Sequence, residues 1–338
     1  MSRTTDDVLG MPEKLVSLDA LEQKQIKIFS GRANPLLSME IAKELGLELG
    51  KINIKPFADG ELYVQVQESV RGCEVYLVQP THVPVNENLV ELLIIIDALK
   101  RASAKTINVV MPYFGYDRQD RKAAGREPIT SKLVAKLIAE AGADRVLCLD
   151  LHSEQIIGFF DCLVDHVHAA PVLIDYVKRF IGLENLVIVS PDVGGVARAR
   201  AYAKKLGDAP IAIVDKRRMH DQQNVVEVMN IIGDVQGKTA ILIDDLVDTA
   251  GTMCKAAQLL KDKGATRIFA LASHGVLSGP AYERVEASPI EELIITNSIP
   301  LAPIWIQSKK IKQVSVAPFL AEAIRRIYTG DSVSGLFV

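Results

Sequence analysis

Short runs of apolar, often β-branched residues recur along this chain, and most are continuous rather than alternating. They are Ile26–Phe29, Glu74–Gln79, Ile107–Pro112, Arg145–Asp150, Leu186–Ser190, Ile211–Asp215, Ala240–Asp244, Arg267–Ser273 and Glu292–Thr296. This pattern limits the fold more than any other feature. A strand with one wet face alternates apolar and polar residues, whereas a strand covered on both faces does not. Helical patterns fill the gaps. In residues 131–142, Leu133, Val134, Leu137, Ile138 and Ala141 share one face and Gly142 offers a stop. Residues 253–264 repeat the form and end at Gly264, and residues 318–330 run from Pro318 to Gly330. Strand–helix alternation throughout predicts an α/β fold with mostly parallel sheets, right-handed crossovers and helices on both faces.

The 338 residues suggest roughly two domains. The net charge is −3, which gives no bulk attraction to nucleic acid or to an acidic membrane surface. Neither is expected as a partner, and any anion must be held by local clusters. Cys73, Cys148, Cys162 and Cys254 are scattered and form no CxxC pair, a pattern that fits a reducing compartment and argues against zinc. The first residues carry acids and no apolar core, so they do not read as a secretory leader. No run is long enough to span a bilayer. The expectation is a soluble, cytoplasmic protein.

Open α/β sheets bind ligands outside the carboxyl ends of their strands, near a topological switch point. Four successive strands here end in polar chemistry: Leu151-His152-Ser153-Glu154-Gln155, Pro191-Asp192-Val193-Gly194-Gly195, Lys216-Arg217-Arg218, and Asp245 through Thr252. In the last of these, Asp244 and Asp245 stand at the strand end and Asp248 follows. Thr249-Ala250-Gly251-Thr252 then opens a helix. Unpaired N–H groups at a helix start favour an anion, and the small residues admit a phosphate. The competing reading is an ordinary cap by Asp248 or Thr249. Three carboxylates beside an anion seat make sense for a sugar phosphate, whose hydroxyls donate to the acids while its phosphate meets the helix. The pattern is neither a Walker A loop nor a dinucleotide fingerprint.

The segment Ile241–Thr252 resembles the ribose 5-phosphate loop of phosphoribosyltransferases. Phe57–Glu61, Glu68–Gly72, Asn86–Ala104, Pro112–Lys122, Gly125–Thr130, Asp150–Asp161, Ser190–Gly195, Asp215–Arg218 and Ser332–Phe337 extend the likeness. In this order they resemble the ribose-phosphate diphosphokinase (phosphoribosyl diphosphate synthetase) family of the phosphate-dependent bacterial-type class. The likeness runs from about Lys27 to Phe337.

The resemblance implies two similar domains of phosphoribosyltransferase type I. An extension would occupy 1–24, the first domain 25–168 and the second 169–312, with a segment at 313–338 packing back on the first domain. It implies transfer of the diphosphoryl group of ATP to the 1-hydroxyl of ribose 5-phosphate, leaving AMP. Lys216 and Arg218 would be the catalytic cations of a mobile loop. Phe57, Asp59, Gly60, Glu61, Arg118 and Gln119 would bind ATP, the first four from a neighbouring subunit. Asp244, Asp245, Asp248, Thr249, Ala250, Gly251 and Thr252 would bind ribose 5-phosphate. His152 and Asp192 would meet Mg²⁺. Ser69, Arg71, Arg126, Ser332 and Ser334 would answer to activating inorganic phosphate or inhibitory ADP. A homo-oligomer is implied, a hexamer built from dimers. The chain departs from many relatives at Asp117, an extra acid beside Arg118. The rival readings are a base-specific phosphoribosyltransferase, which would not need Phe57–Glu61, Asp117–Lys122 or Asp215–Arg218, and a silent regulatory subunit, which would be expected to lose Lys216, Arg218 and His152.

Overall fold

The computed structural model describes the backbone of residues 26–221 and 224–336, and the side chains of these residues except 216–228. The extension at 1–24 lies outside the described residues. The rest divides into two compact α/β units.

The first unit holds residues 26–169, 298–300 and 315–336. Its main sheet is built from β1 (Ile26–Ser30), β4 (Glu74–Val78), β5 (Thr106–Met111), β6 (Arg145–Leu149) and β7 (Leu163–Val167), hydrogen-bonded in that order and all parallel. A separate antiparallel hairpin, β2 (Ile52–Pro56) and β3 (Leu62–Val66), packs Ile52, Ile54, Val64 and Val66 against the core of this unit. The hairpin turn contains Gly60 at φ 93°, where a side chain would be strained. Helices α1 (Pro35–Glu44), α2 (Val85–Arg101) and α3 (Thr130–Ala141) complete the crossovers. Val75, Leu77, Leu92, Ile95, Val109 and Ile138 are among the core residues. The apolar arc expected on α3 is wider than the strip it buries: Val134 and Ile138 are inside, whereas Leu133 and Leu137 are 56% and 41% exposed.

The second unit holds residues 170–297 and 301–314. Its seven strands are β8 (Leu186–Ser190), β9 (Ile211–Asp221), β10 (Asn224–Ile232), β11 (Thr239–Val247), β12 (Arg267–Gly275), β13 (Glu292–Thr296) and β14 (Ile311–Val314). They lie in the order β10-β9-β8-β11-β12-β13-β14, parallel except for β10 against β9. Where the resemblance implies a mobile loop around Lys216 and Arg218, the backbone is strand up to Asp221 and again from Asn224, paired as an antiparallel ribbon. The ladder supplies partners for backbone groups that a loop would leave to water. Helices α4 (Ala170–Tyr176), α5 (Val196–Lys205), α6 (Gly251–Asp262) and α7 (Ala281–Ala287) connect the strands.

In this second sheet the strand order reverses between β8 and β11, so the switch point lies at their carboxyl ends. Helix α8 (Ala317–Thr329) belongs to the first unit, where it packs on α1, and Ser315 Oγ donates to Glu40 at 2.6 Å. No helix among the described residues is long and apolar enough to cross a membrane.

Candidate active site

The switch point collects the polar residues that follow β8 and β11. Asp245 is 5% exposed and Asp244 is half-buried. Arg198, one turn into α5, donates from Nη1 to Asp245 Oδ1 at 2.9 Å and lies 3.3 Å from Asp244 Oδ1. The Asp245 N–H adds a bond to Asp244 Oδ1 at 2.9 Å. Burial and the neighbouring Asp245 carboxyl still hold the Asp244 carboxyl well above the usual carboxylate range, with Arg198 opposing the shift. Two acids that share one cation favour keeping one proton between them. Sequence reading missed Arg198, because a basic residue on an exposed-looking helix carries no signal of the strand end it reaches.

In the loop after β11 neither Asp248 nor Thr249 takes the ordinary cap position. The residue flanking α6 is Ala250, at φ 57°, and no side chain caps the helix. Asp248 instead accepts a hydrogen bond from Ser278 Oγ. The first-turn N–H groups therefore lack a side-chain cap, which is the arrangement that receives a phosphate. A cavity of ≈ 350 Å³ adjoins this turn, lined by Met229, Thr249, Gly251, Thr252, Cys254, Lys255 and Arg284. Lys255 and the hydroxyls of Thr249 and Thr252 make it an anion-accepting space, with Arg284 Nη1 turned to the Thr249 carbonyl. Burial raises the Cys254 thiol, so it serves as a small apolar wall rather than a nucleophile.

Asp192, after β8, is exposed; its Oδ1 accepts from Gly195 N–H at 2.9 Å and its carbonyl accepts from Ser190 Oγ at 2.6 Å. Gly195 then precedes α5, and a Cβ there would meet Ser190 Oγ at 2.8 Å. The backbone of Lys216 and Arg218 lies in β9, opposite Met229 and Glu227 of β10. Their side chains lie outside the described residues.

The first unit gathers its own polar edge. A cavity of ≈ 380 Å³ is lined by residues including Asn86, Tyr113, Tyr116, Arg118 and Gln119. Tyr116 turns the chain at φ 69°, accepts from Gln119 N–H at 2.9 Å, and donates its hydroxyl to Asn86. Thr130 Oγ1 holds the Gln119 carboxamide at 2.6 Å. Asp117 is buried at 2% exposure while Arg118 is exposed, so the extra acid turns into the protein as its neighbour turns out. Buried Asp120 ties this loop to the next: its Oδ2 accepts from Ser153 Oγ at 2.7 Å and from Gln155 Nε2 at 2.6 Å. That places the Arg118–Gln119 turn beside the turn that carries exposed His152.

Asp150, at φ 40°, starts the His152 turn. Its carboxylate pairs with His168 Nδ1 and with Ala169 N–H, each at 2.9 Å, while His166 Nε2 accepts from Leu151 N–H at 2.9 Å. These three side chains come close enough to hold a cation, but each is already engaged in fixing the turn.

Phe57 is 51% exposed and meets Tyr63 edge-on at 6.0 Å, and Asp59 Oδ1 accepts from Glu61 N–H at 3.1 Å. Ser69 and Arg71 are exposed between β3 and β4, and Arg126 is exposed at φ 68°. Ser332 and Ser334 share a hydrogen bond of 2.8 Å, and Arg326 donates to the Ser332 carbonyl at 2.9 Å.

Comparison with known proteins extends this geometry to the whole chain. Residues 26–142 match the family described as the N-terminal domain of ribose phosphate pyrophosphokinase. Residues 220–338 match the phosphoribosyl synthetase-associated domain. The chain is 58% identical over 317 residues to a ribose-phosphate pyrophosphokinase of Synechococcus elongatus, covering 94% of this chain and 95% of that one. It is 58% identical over 315 residues to the chloroplastic ribose-phosphate pyrophosphokinase 1 of Arabidopsis thaliana, covering 93% and 77%. A crystal structure of phosphoribosylpyrophosphate synthetase from Mycobacterium smegmatis aligns with a TM-score of 0.85 at 42% identity, covering 90% of this chain and 99% of that one. An uncapped helix start beside paired acids, set in a fold and a sequence shared almost end to end with these proteins, means that the chain belongs to the ribose-phosphate pyrophosphokinase family.

Proposed function

We propose that this chain transfers the diphosphoryl group of ATP to the 1-hydroxyl of ribose 5-phosphate, giving 5-phosphoribosyl 1-diphosphate and AMP for nucleotide biosynthesis. The observation that carries the sugar-phosphate half is the start of α6 without a side-chain cap, next to Asp244 and Asp245 at the switch point. The phosphate meets the N–H groups and hydroxyls of residues 249–252, while Asp244 and Asp245 accept from ribose hydroxyls. Asp248 fixes the loop.

ATP is received by Arg118 and Gln119, with Phe57, Asp59, Gly60 and Glu61 supplied by a neighbouring subunit around adenine. The ribose 1-oxygen attacks the β-phosphorus in line, the bond between that phosphorus and the α-phosphate oxygen breaks, and AMP departs. Catalysis of such a transfer rests on position and charge. Lys216 and Arg218 are assigned the charge-stabilising role by their place in the family pattern. Mg²⁺ is the expected cofactor. An exposed carboxylate such as Asp192, oriented by Gly195 N–H, suits an ion that keeps most of its waters and arrives with phosphates; His152 is the second residue proposed to meet it. When bound, the ion screens the phosphate charges. Inorganic phosphate as activator and ADP as inhibitor are assigned to Ser69, Arg71, Arg126, Ser332 and Ser334. The working form is a homo-oligomer, a hexamer, acting in the cytoplasm.

The test is a product assay. Protein is mixed with ATP, Mg²⁺, inorganic phosphate and ribose 5-phosphate, and the nucleotides are separated. AMP formed only when the sugar is present supports the reading. ADP in its place would mean single-phosphoryl transfer and would overturn it.

A further inference from the structure

The segment between β12 and α7 grips the sugar-phosphate loop residue by residue. Leu277 N–H donates to the Val247 carbonyl and Ser278 N–H to the Asp248 carbonyl, each at 3.0 Å. Ser278 Oγ donates to Asp248 Oδ1. Arg284 Nη1, reaching from α7, donates to the Thr249 carbonyl at 2.9 Å. Three consecutive carbonyls are thus drawn to one side. A trans peptide is planar, and its N–H points opposite to its C=O. Pinning the carbonyls of 247, 248 and 249 therefore turns the N–H groups of Asp248, Thr249 and Ala250 away from the brace.

This matters because the loop is held in an unfavourable shape. Ala250 sits at φ 57°, a left-handed conformation that L-residues other than asparagine and aspartate rarely adopt. Such a residue persists where its surroundings over-determine it. The grip on 247–249 ends at the peptide that enters Ala250. Arg284 also lies close to the turn itself: a Cβ built on Gly251 would stand 3.1 Å from its Nη1. The same side chain lines the cavity beside the turn with Thr249, Thr252 and Lys255.

We propose that Arg284, assisted by Ser278, is a positioning residue for the sugar-phosphate seat. It orients the peptide between Thr249 and Ala250, so that the turn presents N–H groups instead of carbonyls to the phosphate. This rests on the reading of the α6 start as the place where the phosphate of ribose 5-phosphate binds. Arg284 contributes through the loop, and its work is visible in sugar binding rather than in the chemical step.

The experiment compares steady-state constants of Arg284→Ala, Arg284→Lys, Ser278→Ala and Thr252→Val, with thermal melting of each. Arg284→Ala is expected to raise KM for ribose 5-phosphate about tenfold, the scale of one lost charge-assisted hydrogen bond, with KM for ATP and kcat changed less than about threefold. Arg284→Lys is expected to recover part of the loss, since its ammonium can still donate to the carbonyl without the fixed fork. A drop in melting temperature with both KM values unchanged would reduce Arg284 to a structural residue and overturn the proposal. Thr252→Val separates this failure from that of the underlying reading. If it raises the sugar KM while Arg284→Ala does not, the brace falls and the seat stands. If neither does, the seat itself is wrong. Should Arg284→Ala fail to fold, Ser278→Ala, which removes one hydroxyl, decides: a raised sugar KM supports the brace and an unchanged one overturns it.

Discussion

At the scale of single residues, the Asp244–Asp245 pair shows a site built against its own stability. Arg198 serves both acids, yet burial and mutual proximity raise the Asp244 carboxyl. The sign follows from linkage. A carboxyl raised in the folded state binds more protons there than in the unfolded chain, so its effect on stability is favourable at low pH and is lost as pH climbs through the raised value. Asp244→Asn removes the charge that must be buried. It is expected to raise stability at neutral pH by about 1 kcal/mol, to flatten the fall in stability above the ordinary carboxylate range, and to weaken ribose 5-phosphate binding. Urea denaturation across pH checks the first two outcomes, and a variant less stable than the parent at neutral pH would contradict them. The acids themselves were legible from the sequence, because adjacent carboxylates at the end of an apolar run have no packing purpose. Arg198, Ser278 and Arg284 were not, since each reaches the site through space from a segment whose local pattern is that of an ordinary helix or turn.

At the scale of elements, strand periods and helix stops were read with good accuracy where both faces are covered. β8 and β13 match the expected runs residue for residue, and Gly142 and Gly330 close α3 and α8 at φ 120° and 74°. The reading was weaker where pairing rather than composition makes the strand. The ribbon β9–β10 passes through polar residues, and the hairpin β2–β3 is only partly buried. Their extended form comes from cross-strand hydrogen bonds, which no local window contains. For the turn into α6 the sequence allows an anion seat or an ordinary cap. The left-handed Ala250 removes the latter. A β-branched residue would fit this turn badly, because Ala250 is both left-handed and 4% exposed. Ala250→Val is expected to cost roughly 2 kcal/mol of stability and is read from the shift in denaturation midpoint. A variant as stable as the parent would mean that the turn relaxes freely.

At the scale of the whole molecule, each unit carries its own sheet and core, and among the described residues only the second has a switch point. Thermal unfolding is therefore expected to depart from a single two-state step. Ribose 5-phosphate at a hundredfold excess over its Kd should add about 2.7 kcal/mol to the unit that binds it. Scanning calorimetry should then show one transition moving upward while the other stays. A single transition that shifts as a whole would argue that the units unfold together.

The hydrogen bonds of Asp120 carry a consequence for motion. One buried carboxylate holds the Arg118–Gln119 loop and the Ser153–Gln155 loop at once. Two loops joined through one carboxylate, Asp120 next to Gln119 in the chain and hydrogen-bonded to Ser153 and Gln155, do not breathe independently. They open as one event, on the slower clock of collective loop motion rather than the fast clock of a free turn.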